Sequence, residues 1–507
     1  MLDYVIMALY FLSMIGITIY ARNRAKTVDD FLMAGKRGLN GWMSAFAYGT
    51  TYFSAVIFIG YAGKFGAQYE MAAIWMGIGN AIIGSLFAWK VLARKTKNMT
   101  VRLGAKTMPE FFEKRYSSKS LKLASAIIIF LFLIPYSASV YNGLSNLFEI
   151  VFNIDGWIVM ICLAGITAIY LFFGGYFATA LSDFIQGIIM LIGVVLMFFF
   201  FNNSKQVAWD LSRLNWFTFG SQNKGLYGDT WSLISLIFLT SFGVWALPQT
   251  IHKYYAVRDS KAITQGMVVS TLFALIIGFG AYYVGGLSKL FANELGPNIG
   301  TDNAIPVMLK LVIPTGVMGI IAVLILSASM STLASVSLAS ASVVAIDIYK
   351  GRINKNSSDK KTNVILKSLC LVFVAISVTL AVLNQKYNIA AIAYLMGISW
   401  GTLAGCFIGP YVIGLLWKKV TKPAVWSSII GSLVLTVLLI GILGFFHPEC
   451  SQTFGSIVKY GISCSPLIGV ICMAYSIIVT IVVSLFTKKP SDEVLSEAFD
   501  KPINNAI

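Results

Sequence analysis

Thirteen apolar stretches, each long enough to cross a bilayer and joined by short polar loops, constrain this chain before anything else does. A transmembrane helix needs about 20 predominantly apolar residues. On that criterion the stretches fall at 3–21, 41–63, 70–93, 121–147, 156–174, 177–202, 229–254, 263–286, 316–346, 364–384, 389–416, 423–446 and 465–487. The predicted fold class is therefore an all-α polytopic membrane protein embedded in the lipid bilayer. Composition agrees, with 57% hydrophobic and only 12% charged residues in 507, where soluble domains carry about a quarter charged. The first stretch has no basic region before it, so it reads as a span and not as a cleavable leader.

The formal net charge of +17 would suggest nucleic acid in a soluble protein. Here the basic residues sit between apolar segments, and no nucleic-acid partner is expected. Arg22, Arg24, Lys26, Lys36 and Arg37 fill the first loop. Arg94, Lys95, Lys97, Arg102, Lys106, Lys114, Arg115 and Lys119 fill the third. Lys253, Arg258 and Lys261 follow the seventh segment, Lys350 and Arg352 the ninth, Lys418, Lys419 and Lys422 the eleventh, and Lys488 and Lys489 the thirteenth. Every strongly basic loop is odd-numbered, which places those loops in the cytoplasm. The N-terminus is then outside, the C-terminus inside, and the protein multi-pass in the cell membrane. Within the basic loops, Thr107-Met-Pro-Glu110 reads as a capped helix start with a first-turn proline, and Asp259 as the cap of the eighth segment. The polar tail from Lys488 is expected to be mobile. Cys450 and Cys464 share one outside loop, where a disulfide is compatible with the sequence, and no Cys/His cluster has metal-ligand spacing.

Three segments are chemically unusual. The ninth places Ser327, Ser329, Ser331, Thr332, Ser335, Ser337, Ser340 and Ser342 in a stretch that is uncharged until Asp347. Most of these hydroxyls are explained by bonds back to carbonyls four residues earlier or by close helix packing. The adjacent pair Ser331 and Thr332 also offers oxygens to a hard cation such as sodium. The second segment carries Gly49-Thr-Thr-Tyr-Phe-Ser-Ala55 at its middle. This is either a close-packing face or a helix break whose freed carbonyls coordinate an ion, tolerated at membrane depth where it lines a cavity. The seventh segment repeats the feature with Thr240-Ser-Phe-Gly243 and Pro248. Interrupted segments at corresponding places in two halves point to a transporter site. Segments two to six and seven to eleven form two sets of five, and an odd number per set inverts the second. Asp183, with Gln186 one turn on, either caps the sixth segment near the cytoplasmic interface or serves an ion, since carboxylates inside a bilayer are paired or functional.

At Gly174-Gly175 followed by Asp183-x-x-Gln186, and at Met330-Ser-Thr leading to Asp347-Ile-Tyr349, the chain resembles the sodium:solute symporter family over about its first 420 residues. The resemblance implies thirteen transmembrane helices and a LeuT-type 5+5 inverted repeat with broken second and seventh helices. It divides the chain into an N-terminal extra helix and loop (1–40), two five-helix repeats (41–203 and 204–416), and two C-terminal helices with a tail (417–507). It implies a sodium site on the carbonyls of Thr50, Phe53 and Ala328 and the hydroxyls of Ser331 and Thr332, with Asp183 near the sodium exit path. Some members bind a second sodium through hydroxyls three and four residues past the first serine. Ala334 and Ser335 stand there, so one ligand is missing.

The resemblance places the solute beside the broken helices, with Thr51, Tyr52, Ser54, Tyr136 and Trp245 as candidates. Sugar-type members have polar side chains where this chain has Val56 and Ile57, and an apolar pocket leaves sugar hydroxyls unpaired. Proline-type members carry an aspartate in place of Tyr52 and a tryptophan in place of Thr240, although Tyr136 matches their fourth-segment aromatic. Leu247-Pro248 and Asp259-Ser-Lys-Ala look closer to the pantothenate and monocarboxylate side. The expected activity is sodium-coupled import of a small polar solute (carboxylate, amino acid or vitamin). The alternatives are proton coupling, which Asp183 permits, and a solute sensor, for which the tail is too short to hold a signalling domain. Neither an HExxH motif nor paired intramembrane aspartates point to an enzyme.

Overall fold

The computed structural model describes residues 1–22, 27–33, 38–217, 229–296 and 299–500. Arg24, Lys26, Lys36 and Arg37 of the first basic loop, and the last residues of the tail, lie outside these. Among the described residues the regular structure is helical, apart from one isolated bridge between Leu39 and Val257. Among the described residues ten helices are long and apolar enough to cross a membrane, or eleven when the pair Trp231–Trp245 and Pro248–Tyr255, bent by 41°, is one span.

Two of the ten are too long for one crossing. Val56–Leu103 has 48 residues and Gly156–Asn202 has 47. At 1.5 Å per residue each is about 70 Å of helix, against a hydrocarbon core of about 30 Å. Each turns a corner. In the first, the chain leaves helical geometry at Glu70 (φ 53°) and makes one 3-10 turn, Glu70–Ala73. In the second, the corner is Gly175 at φ 59°, ψ −166°, a conformation essentially restricted to glycine.

The interior is organised around the serine-rich helix Val317–Ser342, which packs on Gly156–Asn202, Lys119–Phe152, Gly41–Tyr52 and the first helix Leu2–Ala21. In this span 89% of the most apolar window is buried, against 28% for Lys422–Phe445. A helix apolar on all sides and a helix studded with hydroxyls thus exchange the usual places: the first faces lipid, the second the protein core. Asp3 pins the first helix to that core by accepting bonds from the Gly316 and Gly319 N–H groups at 2.8 and 2.6 Å. Helices Ala62–Tyr69 and Ser260–Gly286 meet backbone to backbone, because a Cβ on Gly66 would stand 2.2 Å from the Gly285 carbonyl carbon. Small residues are what permit such an approach.

Both predicted caps are present. Thr107 accepts from the Glu110 N–H and starts the helix Met108–Arg115, and Asp259 accepts from Ala262 N–H at 2.8 Å. Two expectations need correction. The third segment stays helical to Leu103, so Arg94, Lys95, Lys97 and Arg102 ride on a helix and not in a loop. The tail is ordered as far as Asp500: Ala498 is buried, Lys418 pairs with Asp500 at 2.9 Å, and Arg115 lies 5.0 Å from the Phe499 ring centroid. One apolar pair in an otherwise polar tail suffices to dock it. Cys450 and Cys464 are both free thiols, the second buried.

Candidate sodium and solute site

The helix Gly41–Tyr52 stops where Phe53 turns extended (φ −104°, ψ 101°), and π-type helix resumes at Val56. The run Gly49-Thr-Thr-Tyr-Phe-Ser explains the stop locally, since β-branched threonines and a serine weaken a helix and offer the backbone alternative partners. The Ser54 hydroxyl accepts from the Val56 N–H at 3.2 Å, where the following helix begins. The serine-rich helix lies directly against this interruption. Ser331 Oγ donates to the Thr50 carbonyl at 2.9 Å and lies 3.3 Å from the Ala328 carbonyl. Thr332 Oγ1 sits 3.3 Å from the Thr50 carbonyl and 3.5 Å from that of Thr51. Four of the expected sodium ligands (Thr50, Ala328, Ser331 and Thr332) are therefore brought together. Phe53 lies at the break, its ring packed on Tyr52 and Phe273, and its carbonyl takes no part in this cluster of hydrogen bonds.

Asp183 is neither a cap nor near a helix end. It is fully buried within Gly156–Asn202, and Lys253 Nζ approaches its Oδ2 at 3.4 Å. Lys253 also donates to Ser335 Oγ at 2.9 Å, and Ser335 Oγ meets Thr51 Oγ1 at 2.9 Å. The ammonium stands 5.2 Å from the Tyr176 ring centroid. A second polar cluster thus adjoins the first, since Thr51 follows Thr50 and Ser335 lies one turn past Ser331. Its cation belongs to the protein. Lys253 was expected in a cytoplasmic loop; it is 2% exposed on the helix Pro248–Tyr255, which the bend in the seventh segment turns back towards the core. Gln186 completes the region by donating to Tyr10 OH at 2.9 Å.

The solute candidates divide. Tyr52 OH donates to the Thr240 carbonyl at 2.7 Å, tying the break in the second segment to the seventh. Tyr136 packs edge-on against Trp400 at 5.5 Å, and Trp400 lies 6.1 Å from Tyr52. The indole nitrogen of Trp400 is buried without a hydrogen-bond partner, and the buried hydroxyl of Tyr136 lies near those of Ser54 and Thr332 without a well-aligned hydrogen bond. Thr51 is held by Ser335 and Ser54 by its own turn. Trp245 turns elsewhere, donating to the Ile83 carbonyl at 3.0 Å and packing on Phe242. Trp400 was absent from the sequence expectation, although a lone tryptophan in the glycine-rich eleventh segment, Gly397-Ile-Ser-Trp-Gly401, was visible there. Aromatic rings around unpartnered polar groups, beside two helix interruptions, form a wall suited to a small amphipathic solute.

The model of the sodium:solute symporter family matches residues 31–431. The chain belongs to that family. It is 27% identical over 438 residues to the osmoregulated proline transporter OpuE of Bacillus subtilis, covering 84% of this chain and 86% of that one. It is 28% identical over 503 residues to the sodium/proline symporter of Staphylococcus aureus, covering 96% and 93%. Among solved structures, a Na+-coupled sialic acid symporter superposes with a TM-score of 0.73 at 18% identity, over 97% of this chain and 99% of the other. A manganese transporter of Eremococcus coleocola superposes at 0.52 and 12% identity, over 87% and 94%. The fold is thus the LeuT-type transporter fold, and the family is one of sodium-coupled solute symporters.

Proposed function

We propose that this symporter imports a small polar organic solute with one sodium ion at the Thr50–Ser331 junction, by alternating access. The observation that carries the reading is the convergence of Ser331 and Thr332 hydroxyls on the Thr50 carbonyl beside a helix interruption. Unwound carbonyls facing a neighbouring helix are the means by which such folds hold sodium. The ion's proposed ligands are Thr50, Ala328, Ser331 and Thr332, with the Phe53 carbonyl joining when the second segment adjusts. Asp183 acts on the exit side through Lys253. The solute would lie against Tyr52, Ser54, Tyr136 and Trp400, with Thr51 linking it to the ion.

Thirteen crossings fit this reading. The two overlong helices each supply one crossing beyond the ten, and the bent pair supplies the last. The odd-loop charge pattern then sets the N-terminus outside, and the two sets of five at 41–203 and 204–416 form the inverted repeats. Energetically, one sodium entering down 100 mV contributes about 2.3 kcal/mol, and a tenfold gradient adds about 1.4 kcal/mol. One-to-one coupling therefore supports accumulation of several hundredfold.

The named relatives make proline the first compound to test, although the family's proline-type aspartate is replaced by Tyr52. The experiment is uptake into proteoliposomes of labelled proline, pantothenate, lactate, sialic acid and glucose, with an inward sodium gradient and with that gradient collapsed. Accumulation of one compound that vanishes with the gradient and with Ser331→Ala supports the reading. Uptake indifferent to sodium refutes it.

A further inference from the structure

Where Lys119–Phe152 and Asp359–Tyr387 end, at the face predicted to lie outside, a cavity of about 420 Å³ opens beside residues 300–303 and 390–392. That volume lies in the range of small-molecule sites. The cavity is far removed in character from the aromatic solute wall, being lined by amides and two carboxylates, Glu149 and Asp302, and by no lysine or arginine.

Several of these groups are already engaged. Asn146 Nδ2 donates to Asn303 Oδ1 at 3.1 Å, and Gln385 Nε2 to Glu149 Oε2 at 2.9 Å. Asp302 Oδ2 accepts from the Ile392 N–H at 3.0 Å. Two groups are not. Asn142 is only 3% exposed, yet both its amide nitrogen and its amide oxygen are buried without a partner, and so is Asp302 Oδ1. Buried polar groups left unpaired are costly, and three such atoms on two residues that line one cavity call for an occupant that supplies a donor and an acceptor. The nearby cations are occupied elsewhere: Lys64 stands 4.1 Å from the Tyr394 ring centroid, and Lys310 donates to the Ile150 carbonyl at 2.7 Å. With two carboxylates and no lysine or arginine on the lining, a positive charge is the missing complement; burial pushes the Asp302 carboxyl above the ordinary carboxylate range, opposed by the Ile392 N–H and by Lys64. Asn142 lies six residues beyond Tyr136 on one helix, about 9 Å along the axis. The cavity therefore stands over the solute wall, on the outer side of it.

We propose that this cavity is an outer binding site for a small solute carrying a protonated amine, which meets Asp302 and Glu149 while the Asn142 amide pairs with the solute's remaining polar group. The proposal rests on the symport reading only for the solute's onward passage. Occupancy itself needs neither sodium nor transport.

The test uses the full chain in membrane vesicles, with its six cysteines replaced and Thr301→Cys introduced on the cavity wall. A membrane-impermeant thiol reagent reads the labelling rate. The probes are proline, pyrrolidine (the amine without the carboxylate) and cyclopentanecarboxylate (the carboxylate without the amine). Proline and pyrrolidine should slow labelling at least threefold and cyclopentanecarboxylate should not, while Gly455→Cys on the helix Phe454–Ser463, which does not line the cavity, responds to none. Asp302→Asn, which keeps an acceptor for Ile392, and Asn142→Leu should each abolish the protection. Protection by cyclopentanecarboxylate equal to that by pyrrolidine, protection that survives Asp302→Asn, or no protection at all overturns the proposal. Repeating the assay with Ser331→Ala separates the two readings: protection should persist there even though sodium-driven uptake is strongly weakened. Uptake intact without protection removes the outer site alone.

Discussion

Removing the ammonium of Lys253 should destabilise the protein far more than removing it together with its partner. The two charges are 3.4 Å apart and both are shielded from water. At an effective dielectric near 20 their attraction is about 5 kcal/mol. Desolvation offsets much of that attraction in the intact pair, which is why breaking such a pair costs about 3–5 kcal/mol while replacing both partners is often close to neutral. Lys253→Met leaves a buried carboxylate whose Oδ1 already lacks a partner, so the upper half of that range applies. Asp183→Asn is milder, because Lys253 keeps the Ser335 hydroxyl at 2.9 Å and the face of Tyr176. The double variant should recover about 2–3 kcal/mol relative to the sum of the singles, the upper end of measured couplings. Thermal unfolding in detergent, followed by a thiol-reactive fluorophore that reports the buried free thiols Cys370 and Cys406, measures all four corners of this cycle. Additive losses, or a Lys253→Met variant as stable as the parent, would refute the ion pair as the organising contact of this region.

Four further outcomes follow from the same geometry. Ser331→Ala and Thr332→Ala should raise the sodium concentration for half-maximal uptake at least tenfold, equivalent to about 1.4 kcal/mol, with the amount of folded protein within twofold; equal loss of both would assign these hydroxyls to packing. Tyr136→Phe and Trp400→Phe should raise the KM for solute severalfold and leave sodium activation unchanged, checked by initial-rate uptake at saturating sodium. Asp3→Ala should lose about 1–2 kcal/mol, the cost of an N-cap, by the same thermal assay, since it strips two N–H partners from the start of the serine-rich helix. Gly66→Ala should lower folded yield sharply because its methyl meets Gly285 backbone, whereas Gly165→Ala, with nothing within 4 Å, should be silent.

The membrane fold was legible in the sequence because hydrocarbon leaves little choice. An apolar run of about twenty residues has to be helical, and its ends are marked by charge to within a few residues, as Lys422–Phe445 and Ser465–Phe486 show against expected segments at 423–446 and 465–487. Polar boundaries were less legible. Arg94, Lys95 and Lys97 mark where the apolar stretch stops, but helix propensity carries the chain on to Leu103, since straight-chain basic residues are good helix formers. The tail was read as mobile from its polarity, and a single phenylalanine beside a small buried alanine was enough to dock it. Trp245 and Trp400 illustrate a further limit: sequence places Trp245 beside the interruption in the seventh segment and Trp400 inside the eleventh, while which one faces Tyr136 depends on helix rotation, which only packing decides.

At the proposed ion site, the same rule that identified Asp183 should also have identified Lys253. An ionisable residue inside a span calls for a named partner, and Lys253 falls within the seventh segment's own limits, 229–254. Counting it among the loop charges that set topology hid it. The distinction matters for mechanism. Lys253 is carried on the inner arm of the bent seventh segment, Asp183 on the sixth and Ser335 on the ninth, and Ser335 in turn holds Thr51 beside the interruption in the second. A fixed ammonium therefore joins the inner arm of one proposed repeat to the broken helix of the other, one helical turn from the oxygens proposed for sodium. Under the proposed ion site, sodium arriving at Thr50 and Ser331 would add a positive charge next to Lys253 and would weaken that ammonium's hold on Ser335. The inner arm is the element this repulsion would release, so the resident cation would couple ion binding to opening of the seventh segment.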